Sequence, residues 1–339
     1  MRKILFALCA MVAIISCSKS EIFDVDREAI AFSNAFVNNG TRAADSFTIA
    51  TDKLLEFNVW ATTQRPNSNE IVPILGEVAV SRTNASSPWG YGATYTQYWI
   101  PGNTYKFAAA KNYESVKLVN GVPSEFTYDA AAQLDLLYAA DTRRGMAAGS
   151  NDPVAFTFEH LLSKAYFTVD TEGMSGDNAN YTYRVSNICI NNAVKEATYT
   201  VGGTWAGTAN YTAQAPLTFG NVNSVKNSNE EYVASKLVAD KTYTSDLARL
   251  LVPATYTALN ITCTIETLYG DAVIDVQNYS KSIAQEFVKG YVYNFVLALK
   301  DPGQPIKFTV NPIPEWMPTG NNGATSIPGL DNQNNQNNQ

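Results

Sequence analysis

The chain has 339 residues, of which 45% are hydrophobic and 16% charged, and its formal net charge is −7 at pH 7. This acidic balance argues against a nucleic-acid partner and supplies no basic face for anionic lipid. One histidine excludes a histidine-rich metal site, and 19 tyrosines favour strands over helices. The length that remains after a leader is sufficient for two domains.

Residues 1–16 have the pattern of an export signal. Arg2 and Lys3 give a positive start, and residues 4–15 are almost entirely apolar. That run is shorter than the roughly 20 apolar residues of a membrane-spanning helix. The small Ser16 directly before Cys17 resembles the lipobox of bacterial lipoproteins, in which the cysteine becomes the acylated N-terminus. The alternative is an ordinary secretory signal in which Cys17 is incidental.

Residues 17–42 form a leader with one predicted strand. Ile30, Phe32 and Phe36 lie on one face of a period-two pattern, which is typical of a strand with one buried face. We interpret these three side chains as a plug that fills an apolar groove in the domain that follows.

The end of the leader has the features of a cleavage point. Residues 38–40, Asn-Asn-Gly, predict a turn or loop. Arg42 follows in that loop, where a trypsin-like protease would cut and leave Ala43 as the new N-terminus. Anchor, strand and basic residue in this order suggest a subunit that is exported, tethered and then released.

Many short alternating segments follow in two clusters, at 43–159 and 160–318. They predict an all-β protein with two tandem β-sandwich domains. A polar loop is predicted at 141–152, and a long loop or irregular pair of strands at 198–216. The tail, 319–339, is rich in Asn and Gln and is expected to be disordered.

One short pattern occurs in both clusters and suggests two related halves. The sequence G-x-x-Y-x-F stands at 102–107 and again at 290–295, each time at the start of a predicted strand. The Tyr and Phe would be buried on one face, and the glycine would permit the preceding turn. A chance match in a tyrosine-rich chain is the rival explanation.

Two cysteines remain after the leader. Cys263 shares a strand face with isoleucines and is predicted to be a small buried hydrophobe. Cys189 lies on the opposite side of its strand from Ile188 and Ile190. A disulfide between Cys189 and Cys263 is permitted in an exported protein, but the sequence favours two free thiols.

Motifs of catalysis and of metal or cofactor binding are missing from the sequence, so no enzyme activity, metal or cofactor is expected. His160 lies beside Glu159 and just before Ser163, but residues this close in a strand do not converge on one site. We expect His160 to form a hydrogen bond at the crossing between the domains. The aromatic residues Trp89, Tyr91 and Trp99 are candidate glycan contacts, although packing in the core and loop is the favoured role.

Several motifs together resemble the Bacteroidetes fimbrillins, the FimA/Mfa-type pilins. They are the lipobox, the leader strand, Thr-Arg-Ala at 41–43, the segment F-E-H-L-L-S-K at 158–164, and the closing segment 287–316 with its final Ile-x-x-Trp. The resemblance implies transthyretin-like sandwiches, other pilin subunits as partners, and assembly by donor-strand exchange. The candidate donor is the segment 306–310, extended to Ile313.

The sequence therefore leaves two candidate functions open. The first is a structural, tip or adhesin subunit of a fimbria, exported to the outer membrane as a lipoprotein precursor and displayed at the cell surface. The second is a surface-anchored lipoprotein that binds a glycan or host ligand through the aromatic residues between 89 and 99. The N-terminus of the surface form separates them, because a start at Ala43 supports the fimbrial subunit.

Overall fold

The computed structural model describes residues 27–37, 54–174, 180–203, 205 and 214–313, and these ranges are built almost entirely from strands. Their helical turns are two short 3-10 segments, Ala93–Tyr95 and Ala130–Ala132. None of the described helices is long and apolar enough to cross a membrane. The prediction of an all-β protein is confirmed, and the division into two tandem sandwich domains stays a prediction.

Eight strands belong to the N-terminal half and twelve to the C-terminal half. The first eight are β1 Phe32–Val37, β2 Glu56–Gln64, β3 Ile71–Ser81, β4 Thr104–Lys111, β5 Ser115–Val119, β6 Val122–Asp129, β7 Leu137–Arg144 and β8 Val154–His160. The others are β9 Ser163–Gly173, β10 Tyr181–Val194, β11 Glu196–Thr200, β12 Gln214–Gly220, β13 Ser224–Lys226, β14 Tyr232–Ala234, β15 Thr242–Thr244, β16 Arg249–Leu251, β17 Thr255–Tyr269, β18 Ala272–Glu286, β19 Val292–Lys300 and β20 Lys307–Ile313.

The N-terminal half contains a six-stranded sheet in the order β1-β8-β7-β4-β2-β3, and its strands β5 and β6 join β11 of the C-terminal half in a three-stranded sheet in the order β11-β6-β5. Successive side chains of a strand point to opposite faces, and β2 shows this division clearly. Phe57 and Val59 face the core that also holds β1. Trp60 points the other way and contacts Phe126 of β6, with ring centroids 6.3 Å apart. The large sheet is therefore buried on both faces along β2.

The C-terminal half pairs a four-stranded sheet, β12-β10-β17-β18, with a five-stranded sheet, β15-β9-β19-β20, to which β16 also pairs through β9. Phe167 of β9 stacks on Phe295 of β19 with ring centroids 4.8 Å apart. It also meets Phe219 of β12 edge to face at 4.7 Å, across the space between the sheets. These aromatic contacts join the two sheets around one apolar core.

The G-x-x-Y-x-F pattern has the same structural role in both halves. Gly102 and Gly290 have φ values of +84° and +75°, a region that glycine occupies without strain. The hydroxyl of buried Tyr105 accepts a hydrogen bond from the backbone N–H of Ile100 at 2.7 Å. The hydroxyl of buried Tyr293 accepts one from Val288, also five residues upstream, at 2.8 Å. This repeated turn supports the interpretation of two related halves.

The two halves are connected by more than the chain. Strand β11 of the second half pairs with β6 of the first along its whole length. Glu159 and Lys289 form an ion pair at 2.9 Å across the junction. The division at residues 159 and 160 stays a prediction, and one sheet, β11-β6-β5, contains strands from both sides of it.

Three sequence interpretations need correction or completion here. The segment 141–152 is not a loop throughout, because β7 continues to Arg144 and pairs with β4. The two ends of the segment 198–216 belong to β11 and β12, and residues 204 and 206–213 lie outside the described part of the chain. Cys189 and Cys263 are free thiols, and Cys263 is buried as predicted.

Candidate functional site

The leader strand β1 forms an edge of the six-stranded sheet. It runs parallel to β8, with Phe32 opposite Val154 and Val37 opposite Phe158. The backbone N–H of Val154 donates to the carbonyl of Ala31 at 2.8 Å. The other neighbour of β8, strand β7, pairs with it at His160 and Glu159, near the end of the strand. The first part of β8 therefore depends on the leader for its strand pairing.

The buried face of the leader differs from the predicted one at Phe36. The prediction that Phe36 is part of the plug is wrong. Ile30 and Phe32 are buried, at 1% and 6% exposure, but Phe36 is 50% exposed. The register shifts between Ser33 and Phe36, so the alternation changes sides within the strand. Ala35 and Val37 take the buried positions instead.

Phe32 is the centre of the leader's apolar contacts. Its ring stacks on Phe156 of β8 with centroids 6.0 Å apart and meets Phe107 of β4 edge to face at 6.4 Å. Tyr91 covers it from a third side at 5.4 Å. The ring thus connects three parts of the domain, and its removal would leave an apolar cavity between them.

The segment that contains the aromatic residues 89–99 holds the leader from its N-terminal side. The hydroxyl of Tyr91 donates to the carbonyl oxygen of Ile30 at 2.7 Å. The backbone N–H of Ile30 donates to the carbonyl of Gln97 at 2.8 Å, and that of Trp99 donates to the carbonyl of Glu28 at 3.0 Å. The segment therefore pairs with the leader backbone just before β1 begins.

This packing bears on the candidate glycan contacts. Trp99 is only 6% exposed and packs against Tyr105 and Phe107, so the structure does not leave it open to a sugar. Trp89 is partly buried between the ring of Phe57 and the guanidinium of Arg82, which lies 4.5 Å from its ring centroid.

Tyr91 is engaged with the leader, and burial raises the pKa of its phenol above the usual value. Tyr95 and Tyr98 carry the exposed rings of this segment. Of the three candidate contacts, Trp99 is therefore corrected to a core residue, and Trp89 and Tyr91 have packing roles as well.

A second, polar attachment joins the leader to the loop between β7 and β8. The Oε2 atom of Glu28 accepts hydrogen bonds from the side-chain amide of Asn151 at 2.6 Å and from the backbone N–H groups of Gly149 and Asn151 at 2.9 and 3.2 Å. The side-chain hydrogen bond from Asn151, helped by those backbone donors, lowers the pKa of Glu28 below its ordinary value. The carboxylate form is therefore the one that this loop holds.

Sequence reasoning missed Glu28, Ala35, Val37 and Asn151. One signal was available for the buried face at the end of the strand. Val37 is apolar and follows Phe36 directly, so either residue could have been the buried one. The pairing of Glu28 with Asn151 spans 123 positions and has no local signature. Cys17, Arg42 and Ala43 lie outside the described residues, as does the tail at 319–339.

The chemistry of catalysis or metal binding is not assembled in the described ranges. No group of three or more His, Cys, Asp or Glu side chains in them is placed to hold a metal ion. The Nδ1 atom of buried His160 lies 2.8 Å from Oδ2 of Asp135 in the N-terminal half. Ser163 donates instead to the carbonyl of Val288 at 3.2 Å, so the two residues do not form a nucleophile–base pair.

Comparison with known proteins decides the family. A family model described as Fimbrillin-like matches residues 41–316, most of the chain. The chain belongs to the fimbrillin-like family. A search of curated proteins found no match.

One solved structure agrees with this fimbrillin-like assignment at the level of the fold, and a second shows a weaker similarity. A fimbrial protein from Bacteroides vulgatus superposes with a TM-score of 0.60 at 16% identity, covering 85% of this chain and 99% of that one. A cell adhesion protein from Bacteroides uniformis gives a TM-score of 0.43 at 19% identity and coverages of 86% and 100%. Family membership supports a role as a fimbrial component at the cell surface rather than as an enzyme.

Proposed function

We propose that this fimbrillin-like chain is a subunit of a fimbria that is exported as a lipoprotein precursor and assembled by strand exchange. Cys17 carries the acyl chains that hold the precursor in the outer membrane, and its partners are other fimbrial subunits. A trypsin-like protease cuts after Arg42, which makes Ala43 the N-terminus of the mature subunit. The leader then leaves the groove, and a strand of another subunit takes its place.

The observation that supports this proposal most directly is the position of the leader, at the edge of a sheet and yet inside the core. Ile30, Phe32 and Val37 are buried among residues of β2, β4 and β8. Burial of three such side chains contributes about 1.5–3 kcal/mol each, or roughly 5–9 kcal/mol together. This is comparable with the net stability of a whole domain, about 5–15 kcal/mol.

Cleavage at Arg42 would leave this strand attached by non-covalent contacts alone. Its departure would expose an apolar groove next to the unpaired backbone of β8, which is a template for another strand. A strand from a second subunit would restore the hydrogen bonds and place alternate side chains in the same groove. In the uncut precursor the leader occupies the groove, which prevents premature polymerisation.

Strand β20 is the candidate donor. It is the edge strand of the five-stranded sheet and pairs with β19 alone. Phe308 and Val310 alternate with exposed Lys307 and Thr309, and both apolar side chains are only partly buried. A strand with one apolar face at an open edge has the composition that the groove requires.

The experiment compares the parent precursor with an Arg42→Gln variant, each treated with a small amount of trypsin. Mass spectrometry identifies the new N-terminus, and light scattering follows polymer growth. The proposal expects a start at Ala43 and polymers in the parent sample, and monomers in the variant sample. Polymerisation of the uncut variant at the parent's rate would contradict it.

A glycan-binding surface lipoprotein is the second candidate, favoured by the exposed rings of Tyr95 and Tyr98. Such a protein would keep the acylated Cys17 on the cell surface. N-terminal analysis of the surface form therefore separates the two functions, because a start at Ala43 supports the fimbrial subunit.

A further inference from the structure

The loop that holds Glu28 is a preformed carboxylate site. The side-chain oxygen of Asn151 accepts from the backbone N–H of Met146 at 2.7 Å. Its amide nitrogen lies 3.1 Å from the carbonyl of Ala147, to which the N–H of Ser150 also donates at 3.0 Å. These bonds are internal to the loop between β7 and β8, so they remain when the leader leaves.

The donors that face Glu28 then lose their acceptor. They are the backbone N–H groups of Gly149 and Asn151 and the side-chain amide of Asn151. Successive N–H groups directed at one point form a concave site for anions, and an acidic side chain is the ligand seated in it. Without an acidic group these donors exchange a charged acceptor for water, which is the weaker partner.

We propose that this loop is a recognition site for an acidic side chain on the incoming strand. The inference rests on the strand exchange proposed above and adds the chemistry of the partner. Glu28, Ile30 and Phe32 occupy alternate positions, with the carboxylate in the loop and the two apolar side chains in the groove. A strand that enters in the same direction must therefore carry the pattern acidic-x-apolar-x-apolar to satisfy both parts. Strand β20 satisfies only the apolar part, because Gln304 stands two residues before Ile306 and four before Phe308. The loop therefore favours a strand with an acidic residue over the β20 of a second copy of this chain.

The contribution of the acidic group is selective. An apolar strand without it would fill the groove but leave the loop donors to water. A basic side chain at the same position would place a positive charge against the same N–H groups. The site thus distinguishes among strands of similar hydrophobicity, because it disfavours binding of a strand with the wrong side chain at this position.

The test measures binding of labelled peptides to the full chain cut after Arg42, by fluorescence anisotropy. The parent peptide covers residues 27–37, and a Glu28→Gln peptide removes the charge. We expect the Glu28→Gln peptide to bind about two- to fivefold more weakly, because the carboxylate is a stronger acceptor than the amide but is accessible to solvent. A Phe36→Ala peptide, altered on the exposed face, should bind like the parent.

A second arm uses pH and an altered loop. Binding of the parent peptide should weaken as the pH falls below 4.5, the ordinary pKa of the group, and the Glu28→Gln peptide should not follow it. An Asn151→Asp chain should reverse the preference, because its carboxylate repels Glu28 and accepts from the glutamine amide.

The outcomes separate the two proposals. Equal affinity of the parent and Glu28→Gln peptides at every pH would overturn the recognition site and leave strand exchange intact. Failure of both peptides to enter the cut chain would overturn strand exchange and, with it, this inference. If the Asn151→Asp chain does not fold, the comparison of the two peptides on the parent chain still decides the question.

Discussion

The hydroxyl of Tyr91 donates a hydrogen bond to the backbone carbonyl of Ile30 at 2.7 Å, across 61 positions of sequence. The same tyrosine ring lies edge to face with Phe32 at 5.4 Å. One side chain therefore contacts both the backbone and the apolar face of the leader. The segment 89–99, for which the sequence favoured packing over a glycan-binding surface, covers the start of the leader strand.

A Tyr91→Phe substitution isolates the hydrogen bond, because it keeps the ring against Phe32. It leaves the carbonyl of Ile30 without this donor and should lower the stability of the uncut chain by about 0.5–1.5 kcal/mol. Urea unfolding measures the change. Tyr95→Phe, on an exposed ring of the same segment, is the control and should have no measurable effect. Equal effects of the two substitutions would mean that the Tyr91 hydroxyl does not hold the leader.

Phe32→Asp and Phe36→Asp form a matched pair on the two faces of one strand. Phe32 is buried among Phe107, Phe156 and Tyr91, so its replacement should cost about 3–5 kcal/mol. Phe36 is half-exposed, and its replacement should change the free energy of unfolding by no more than about 0.5 kcal/mol.

Thermal unfolding and gel filtration of the uncut precursor measure this pair. The Phe32→Asp chain should be less stable and should self-associate without proteolysis, because its leader no longer fills the groove. If it stays monomeric and as stable as the Phe36→Asp chain, the leader is only a tether.

Limited trypsin digestion should cut the folded precursor after Arg42 before Arg143. Arg143 lies in β7, which pairs with β4. Its guanidinium forms an ion pair with Asp141 at 2.6 Å and donates to the carbonyls of Asp152 and Pro153. The backbone of a residue paired within a sheet cannot enter a protease active site without local unfolding. Cleavage at Arg143 while Arg42 survives would contradict the proposed maturation.

Retention of the leader on the cut chain should depend on pH through Glu28. The pKa of Glu28 is lowered in the folded state. The contribution of its carboxylate to holding the leader is therefore complete above the ordinary pKa of 4.5 and is lost as the pH falls through the lowered pKa. The retained fraction, measured by gel filtration from pH 7 downward, should decline more for the parent than for a Glu28→Gln variant. Parallel curves for the two chains would show that Glu28 does not respond.

Local patterns predicted the class of the fold and the presence of the leader strand. Alternation made the strands recognisable, and the G-x-x-Y-x-F repeat pointed to the two tyrosine turns. The same alternation misplaced Phe36, because a register shift between Ser33 and Phe36 moves the later residues to the other face. An alternating pattern predicts the buried face only if the strand is regular. No residue type in this segment indicates the register shift.

Long-range pairing escaped the sequence analysis for a different reason. Strand β11 pairs with β6, nearly 70 positions earlier in the chain, and Glu28 meets Asn151 across 123. Such contacts depend on the arrangement of whole sheets rather than on neighbouring residues. The end of β7 at Arg144 was missed because its charged side chains resemble those of a loop, although they lie on an exposed strand.

The central claim is that another strand replaces the leader during assembly. The direct measurement is the amount of leader fragment, ending at Arg42, that remains in polymers purified after trypsin treatment, determined by mass spectrometry against an isotopically labelled standard. Hydrogen exchange of Val154–His160 in the same sample reports whether the edge of β8 is paired. The account predicts polymers that lack the leader and in which β8 is still protected. One retained leader per subunit in the polymer would contradict it.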